Sequence, residues 1–240
     1  MKLIEFARKI QVEVRLRLND FRKPQFVILK GIKVPVIDDA PRDLEEALYT
    51  GCYERFELKT IASQLAQNDV VMELGTGLGL ISSFCANKIG NDRVFTYEAN
   101  PGLEPIIRKT YKLNNLAPNL QICMLGGQPG EQIFYVSESI WDSSVIQHNQ
   151  DFKPVTVPVK SFNEEVRKIN PSFLVMDIEG GEYDLLKDAD LHNIRKISIE
   201  LHERIIGTEK TEFVKSKLRE SGFRLNESFS YRGRELFWQR

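Results

Sequence analysis

Five short runs in this chain are dominated by apolar, β-prone residues: VVMEL (70–74), RVFTYE (93–98), LQICML (120–125), FLVMD (173–177) and ISIEL (197–201). Runs of this kind read as strands buried in a sheet. Helical segments lie between several of them. One spans 80–89 and stops at Gly90; another runs to about Asn114, with Asn100 as its N-cap and Pro101 in its first position. A third lies near 182–189. Alternation of strand and helix implies an α/β, doubly wound, mostly parallel sheet covered by helices on both faces. Ahead of it, Leu58, Ile61, Ala62 and Leu65 carry helical spacing within 53–66. Behind it, a helix near 209–221 leads into GFRLNESFSYRGRELFWQR, which reads as an antiparallel C-terminal hairpin. Two regions fall outside the alternation. Residues 1–52 form an N-terminal extension with a short helix and the β-prone stretch FVILKGIKVPVI, bent at Gly31 and Pro35. Residues 53–240 form the main domain, and 126–162 reads as an insertion with β runs at QIFYV and VTVPV.

Composition narrows the function classes. A net charge of −1 over 240 residues gives no basic footprint for nucleic acid. Three widely spaced cysteines, Cys52, Cys85 and Cys123, suggest neither a disulfide framework nor a zinc site, and fit a reducing, cytoplasmic setting. No apolar stretch approaches the roughly 20 residues needed to span a bilayer, so no membrane insertion is expected. The first 33 residues hold nine Lys or Arg against three acids. A solvated amphipathic face accounts for them, with an acidic partner, a phosphorylated substrate or a membrane surface as the alternatives.

The turn after the first main strand is Glu73-Leu-Gly75-Thr76-Gly77-Leu-Gly79. Three glycines between a strand and a helix allow positive φ and close approach of a ligand. The dinucleotide fingerprint G-x-G-x-x-G is not met, because the third glycine arrives one residue early. Glu73 in front of the loop suits a cationic ligand better than a pyrophosphate. Glu98 ends the second strand, 19 residues after Gly79, where a carboxylate can accept hydrogen bonds from both ribose hydroxyls. E-x-G-x-G-x-G with such an acid resembles the S-adenosylmethionine site of class I methyltransferases. That resemblance implies a seven-stranded Rossmann-like fold and a cofactor site of Glu73, Gly75, Thr76, Gly77, Gly79, Glu98, Ala99 and Asn100. Adenine contacts from Met124-Leu125-Gly126-Gly127 would be apolar or backbone. A nucleotide-dependent oxidoreductase and a non-catalytic scaffold of the same fold are the alternatives.

FLVMDIEGGEYDLL (173–186) resembles the D-x-E-G-x-E signature of the FkbM methyltransferases through Asp177, Glu179, Gly180 and Glu182. Tyr53-Glu54, YEANP (97–101), Ser143-Ser144 and Ile199-Glu200-Leu-His202 agree with that family's layout, so the likeness covers about 50–205. Thr76-Gly77 departs from it, since relatives often carry Ala-Asn there. The resemblance implies O-methylation of a hydroxyl on a sugar or secondary-metabolite-like small molecule, and a homo-oligomer is compatible with it. Candidate catalytic residues are Asp177, His202 and Glu179. An isolated carboxylate with pKa near ~4 is a weak base toward an alcohol, so burial or a histidine would help. His202 is the best placed, ahead of His148 and His192, although an exposed loop histidine also explains it. Glu182 also has a simpler role, as an acid favoured in the first turn of a helix. Asp177, Glu179, Glu200 and His202 offer ligands suited to a divalent ion, but their spacing demands none and no metal is assigned. Trp141 and Tyr135 could stack on a sugar, or simply pack.

Overall fold

The computed structural model describes residues 16–17, 24–38, 40–136, 143–144 (backbone) and 153–240. Trp141, His148, the Ser143-Ser144 side chains and almost all of the basic N-terminal segment lie outside the described residues. Strand β1 (Phe26–Leu29) and β2 (Ile32–Pro35) form an antiparallel hairpin. Its turn, Lys30-Gly31, takes positive φ at both residues. A helix at Arg42–Thr50 follows and stops at Gly51, φ 75°. It is additional to the sequence reading, though Leu44 and Leu48 carry helical spacing. Leu29, Ile32, Val34, Leu44 and Leu48 enter one apolar cluster with Val71, Leu80 and Phe173. The expected helix around 53–66 spans Arg55–Gln64.

The main strands are β3 (Val71–Leu74), β4 (Val94–Glu98) and β5 (Asn119–Ile122). LQICML, expected as one strand, divides. Its first half is β5, and Met124–Gly126 becomes β6, the first strand of a second sheet. That side sheet continues through β7 (Gly130–Val136), β8 (Ser143–Ser144) and β9 (Lys153–Ser161), in the order β6-β9-β7-β8. A helix at Phe162–Ile169, capped by the Ser161 side chain, leads back to the main sheet and was not expected from the sequence. There follow β10 (Phe173–Met176), β11 (Lys196–Glu200), β12 (Arg224–Leu225) and β13 (Glu235–Gln239).

The seven main strands run β12-β13-β11-β10-β3-β4-β5. β11, β10, β3, β4 and β5 are mutually parallel, and β13 is antiparallel to both of its neighbours. Successive strand residues serve opposite faces. Met72, Leu74, Leu174, Met176, Ile197 and Ile199 enter one core cluster. Val71, Phe173, Val175 and Phe237 enter the other. Each fully buried side chain of this size stabilises by about 1.5–3 kcal/mol. Winding reverses between β3 and β10, since β4 and β5 lie on one side and β11 on the other. A crevice outside the carboxyl ends of the strands at such a point is where open α/β sheets take ligands.

Candidate active site

The backbone ladder extends past the ends of β3 and β10. Gly75 N–H donates to the Tyr97 carbonyl at 2.9 Å, and Asp177 N–H to the Leu74 carbonyl at 2.9 Å. These bonds bring Gly75 and Asp177 together so closely that a Cβ at Gly75 would lie 1.7 Å from the Asp177 carbonyl oxygen. Gly75, Gly77 and Gly79 all have positive φ, at 84°, 54° and 76°.

Behind the loop, Glu98 is 6% exposed and acts as its anchor. Its Oε2 accepts from Thr76 N–H (3.0 Å) and Gly77 N–H (3.1 Å), and its Oε1 from Asn100 N–H (2.8 Å). Burial raises its pKa, and the amides of Asn100, Gly77 and Thr76 only partly counter that. Glu73 is buried and accepts from the Thr96 hydroxyl, which also meets the Thr76 hydroxyl. Burial lifts Glu73 to about 8, against hydrogen bonds from Thr96 and Ser82.

A cavity of about 710 Å³ opens over this loop. Of the eight cofactor candidates, Gly75, Gly77, Glu98 and Ala99 line it. Glu73, Thr76, Gly79 and Asn100 do not. Their side chains or backbone turn build the loop from behind, and Asn100 caps Gly102 N–H at 2.9 Å. Glu73 therefore faces Thr96 and Ser82, where the sequence reading had it toward a cationic ligand. Leu103 and Met124 to Gly127 line the cavity, with Gln132 and Phe134 of β7. Tyr135, next to Phe134 on β7, does not line it, because neighbouring strand residues point to opposite faces.

The three catalytic candidates do come together, joined by two further carboxylates. His202 is 9% exposed at the exit of β11. Its Nε2 lies 3.0 Å from Glu179, 3.4 Å from Glu200 and 3.7 Å from Asp177. Nδ1–H donates to Glu182 Oε1 at 2.7 Å. Burial pulls the imidazole pKa down, but hydrogen bonds to Glu179, Glu182 and Glu200 outweigh it and raise it to about 12. His202 is thus an imidazolium across the neutral range. His192 is exposed and lines no part of the cavity. Glu179 reaches His202 from a left-handed backbone, φ 48°, followed by Gly180 at φ 103°.

Asp177 faces the cavity and keeps 31% of its side chain exposed. Its Oδ1 is nevertheless enclosed and accepts no hydrogen bond. Burial first, then the charges of Glu200 and Glu179, push its pKa well above the usual carboxylate range, with His202 only partly countering them. The cavity wall also carries Tyr53, Glu54 and Glu57. Tyr53 Oη accepts from Leu78 N–H at 3.2 Å and packs where a Gly77 side chain would sit. Burial also raises Glu54 and Glu57; neighbouring carboxylates add to it, and at Glu54 a hydrogen bond with Tyr53 partly counters it. Sequence reasoning noted Tyr53-Glu54 only as part of a layout and missed Glu57. Their signal was position, one helix ahead of the glycine loop. Lys187 is the one basic side chain among the described lining residues, so the wall is strongly acidic.

One ligand atom each from Asp177, Glu200 and His202 fall within 4.8 Å of one another. A protonated imidazole has no lone pair for a metal, so an ion would have to expel that proton first.

A family model for the FkbM methyltransferase domain matches residues 68–225, taking in the glycine loop, Glu98, the D-x-E-G-x-E turn and His202. The chain belongs to the FkbM methyltransferase family. Membership implies S-adenosylmethionine as methyl donor and sets aside the oxidoreductase alternative. No curated protein matches the chain. Among solved structures, a methyltransferase from Pyrococcus furiosus is similar at 13% identity, over 97% of this chain and 98% of that one, with TM-score 0.48. The ribosomal protein L11 methylase from Lactobacillus delbrueckii subsp. bulgaricus gives 14% identity over 79% and 77%, TM-score 0.46. The tRNA (uracil-54, C5)-methyltransferase of Pyrococcus abyssi, solved with S-adenosyl-L-homocysteine, gives 10% over 90% and 43%, TM-score 0.49. Among the described residues no helix is long and apolar enough to cross a membrane.

Proposed function

We propose that this FkbM-family chain is an S-adenosylmethionine-dependent O-methyltransferase acting on a hydroxyl of a sugar-like or secondary-metabolite-like small molecule. The observation that carries the proposal is one cavity lined by the glycine loop, Glu98 and, directly beside Gly75, Asp177. The donor is a sulfonium cation, and the acidic wall and the glycine cradle fit it. Gly75, Gly77, Glu98 and Ala99 would hold it, and Glu98, already fixed by two amides of the glycine loop and that of Asn100, would take the ribose. When bound, that donor supplies an electrophilic methyl group. Asp177 would orient the acceptor hydroxyl and take its proton, and its raised pKa makes it a better base than a carboxylate in water. His202 and Glu179 would hold Asp177's surroundings in place. The imidazolium offsets part of the repulsion among the carboxylates.

The same wall supports a neutral or cationic acceptor. Asp43, Glu179, Asp184 and Asp188 line the cavity and would repel a phosphate-rich polymer. In this reading residues 53–240 carry catalysis, while residues 1–52 and the insertion near 126–162, whose described residues Asp43, Leu44, Gln132 and Phe134 line the cavity, set specificity.

The test is a donor-consumption screen against hydroxylated sugars and lipid-linked or polyketide acceptors, with and without EDTA. Asp177→Asn should bind S-adenosylhomocysteine as the wild type does, by calorimetry, while turnover falls by roughly 10²–10⁴-fold. Wild-type turnover in that variant would remove Asp177 from the base role. S-adenosylhomocysteine binding without donor consumption on any acceptor would favour the scaffold alternative.

A further inference from the structure

Glu182 lines no part of the cavity, yet it is wholly buried and holds the shortest contact to His202. A helix-start role explains it poorly. Its own helix, Glu182–Leu186, is five residues long, and the amide it takes belongs to Gly180 in the preceding turn, at 3.0 Å. The same Oε1 accepts from His202 Nδ1–H at 2.7 Å. One oxygen thus ties the turn after β10 to the exit of β11. Gly180 reinforces the link, since its Cα approaches Ile205 so closely that a Cβ would lie 2.7 Å from that side chain.

The other partners of His202 are less fixed. Glu179 has a side chain 51% exposed. Glu200 is shared with Arg234 at 2.7 Å. With Nδ1 committed to Glu182, the ring has one orientation, in which Nε2 faces Asp177, Glu179 and Glu200. A carboxylate behind one ring nitrogen holds the proton on that nitrogen and sets the ring plane.

We propose that Glu182 is the positioning residue of the site: it acts through His202, aiming Nε2 at Asp177, and touches neither donor nor acceptor. The proposal rests on the methyl-transfer reading given above.

The test uses the full chain and two variants. Glu182→Gln keeps the shape and the Gly180 contact but removes the charge. His202→Asn keeps an N–H near Glu182 but deletes Nε2. With the acceptor returned by the donor-consumption screen, Glu182→Gln should lower kcat by about 10-fold or more, leaving the donor KM within about twofold. Combined with His202→Asn it should add less than about twofold, because the two act as one unit. Effects that multiply, or an unchanged kcat in Glu182→Gln, would overturn the proposal. A second measurement needs no acceptor. Nitrogen-15 spectra should show a hydrogen-bonded Nδ1–H far downfield, absent from His202→Asn and displaced in Glu182→Gln. Its absence from the wild type, or an unmoved signal in Glu182→Gln, would also sink the proposal, and the wild-type signal decides even if Glu182→Gln fails to fold. Loss of S-adenosylhomocysteine binding by the wild type would instead strike the methyl-transfer reading and leave the Glu182–His202 contact standing.

Discussion

Glu73 holds its proton far longer than a carboxyl in water, and that has a thermodynamic sign. Its folded pKa of about 8 lies above the ordinary glutamate value of 4.5. Between those values the native chain binds more protons than the unfolded one, so stability falls as pH rises through that window. The slope approaches about 1.4 kcal/mol per pH unit. Glu73→Gln should flatten it, measured as the difference in urea midpoint between pH 5 and pH 8; a slope identical to wild type would show that Glu73 ionises normally. The residue scale also marks where sequence reading stops. Asp177, Glu179 and Glu98 were legible because each ends a strand or sits in a motif. The pairing of Glu182 with His202 was not, because two residues 20 apart meet only when Gly180 turns the chain back across the neighbouring strand exit.

Gly75 defines the next scale, since it is the point where β3, β4 and β10 are locked together. Its φ of 84° and the 1.7 Å clash predicted for a Cβ leave no room for a side chain. Gly75→Ala should cost more than about 3 kcal/mol, combining backbone strain with a collision against backbone, and should abolish S-adenosylhomocysteine binding. Near-native thermal stability in that variant would show that the two strand ends can part. The main strands were readable because parallel strands buried on both faces must be apolar throughout. LQICML misled for the same reason. Cys123 separates two strands of different sheets, and both halves are apolar enough to look like one. The Phe162–Ile169 helix is short and polar on one face, which weakened its signal against the β-rich segment before it.

Across the whole molecule, charge is divided between the two ends of the sheet. At the end away from the cavity, Asp69 is fully buried. It accepts from Lys196 Nζ at 2.6 Å, Ser172 Oγ at 2.8 Å and Ala66 N–H at 2.7 Å. Lys196 Nζ also donates to the Gln64 carbonyl at 2.7 Å. Burial raises the Asp69 pKa, but Lys196, the Ala66 amide and Ser172 outweigh it and leave it below the usual value. Lys196→Met should therefore destabilise by about 3 kcal/mol in urea unfolding, because it removes the close cationic partner of a buried charge and leaves the half-exposed Arg195 at 3.8 Å. Donor affinity should stay unchanged, as the cluster lies at the far end of β11. A weakened affinity would couple the two ends.

The Gly75–Asp177 junction also bears on how the chain reaches its native state. Its partners are about a hundred residues apart in sequence, and nothing local can hold them together. Such pairings form late, after the entropy of closing a long loop has been met. A chain with its helices and hairpins in place but β3 and β10 still apart would have no catalytic floor. Regain of S-adenosylhomocysteine affinity during refolding would then coincide with the last cooperative step.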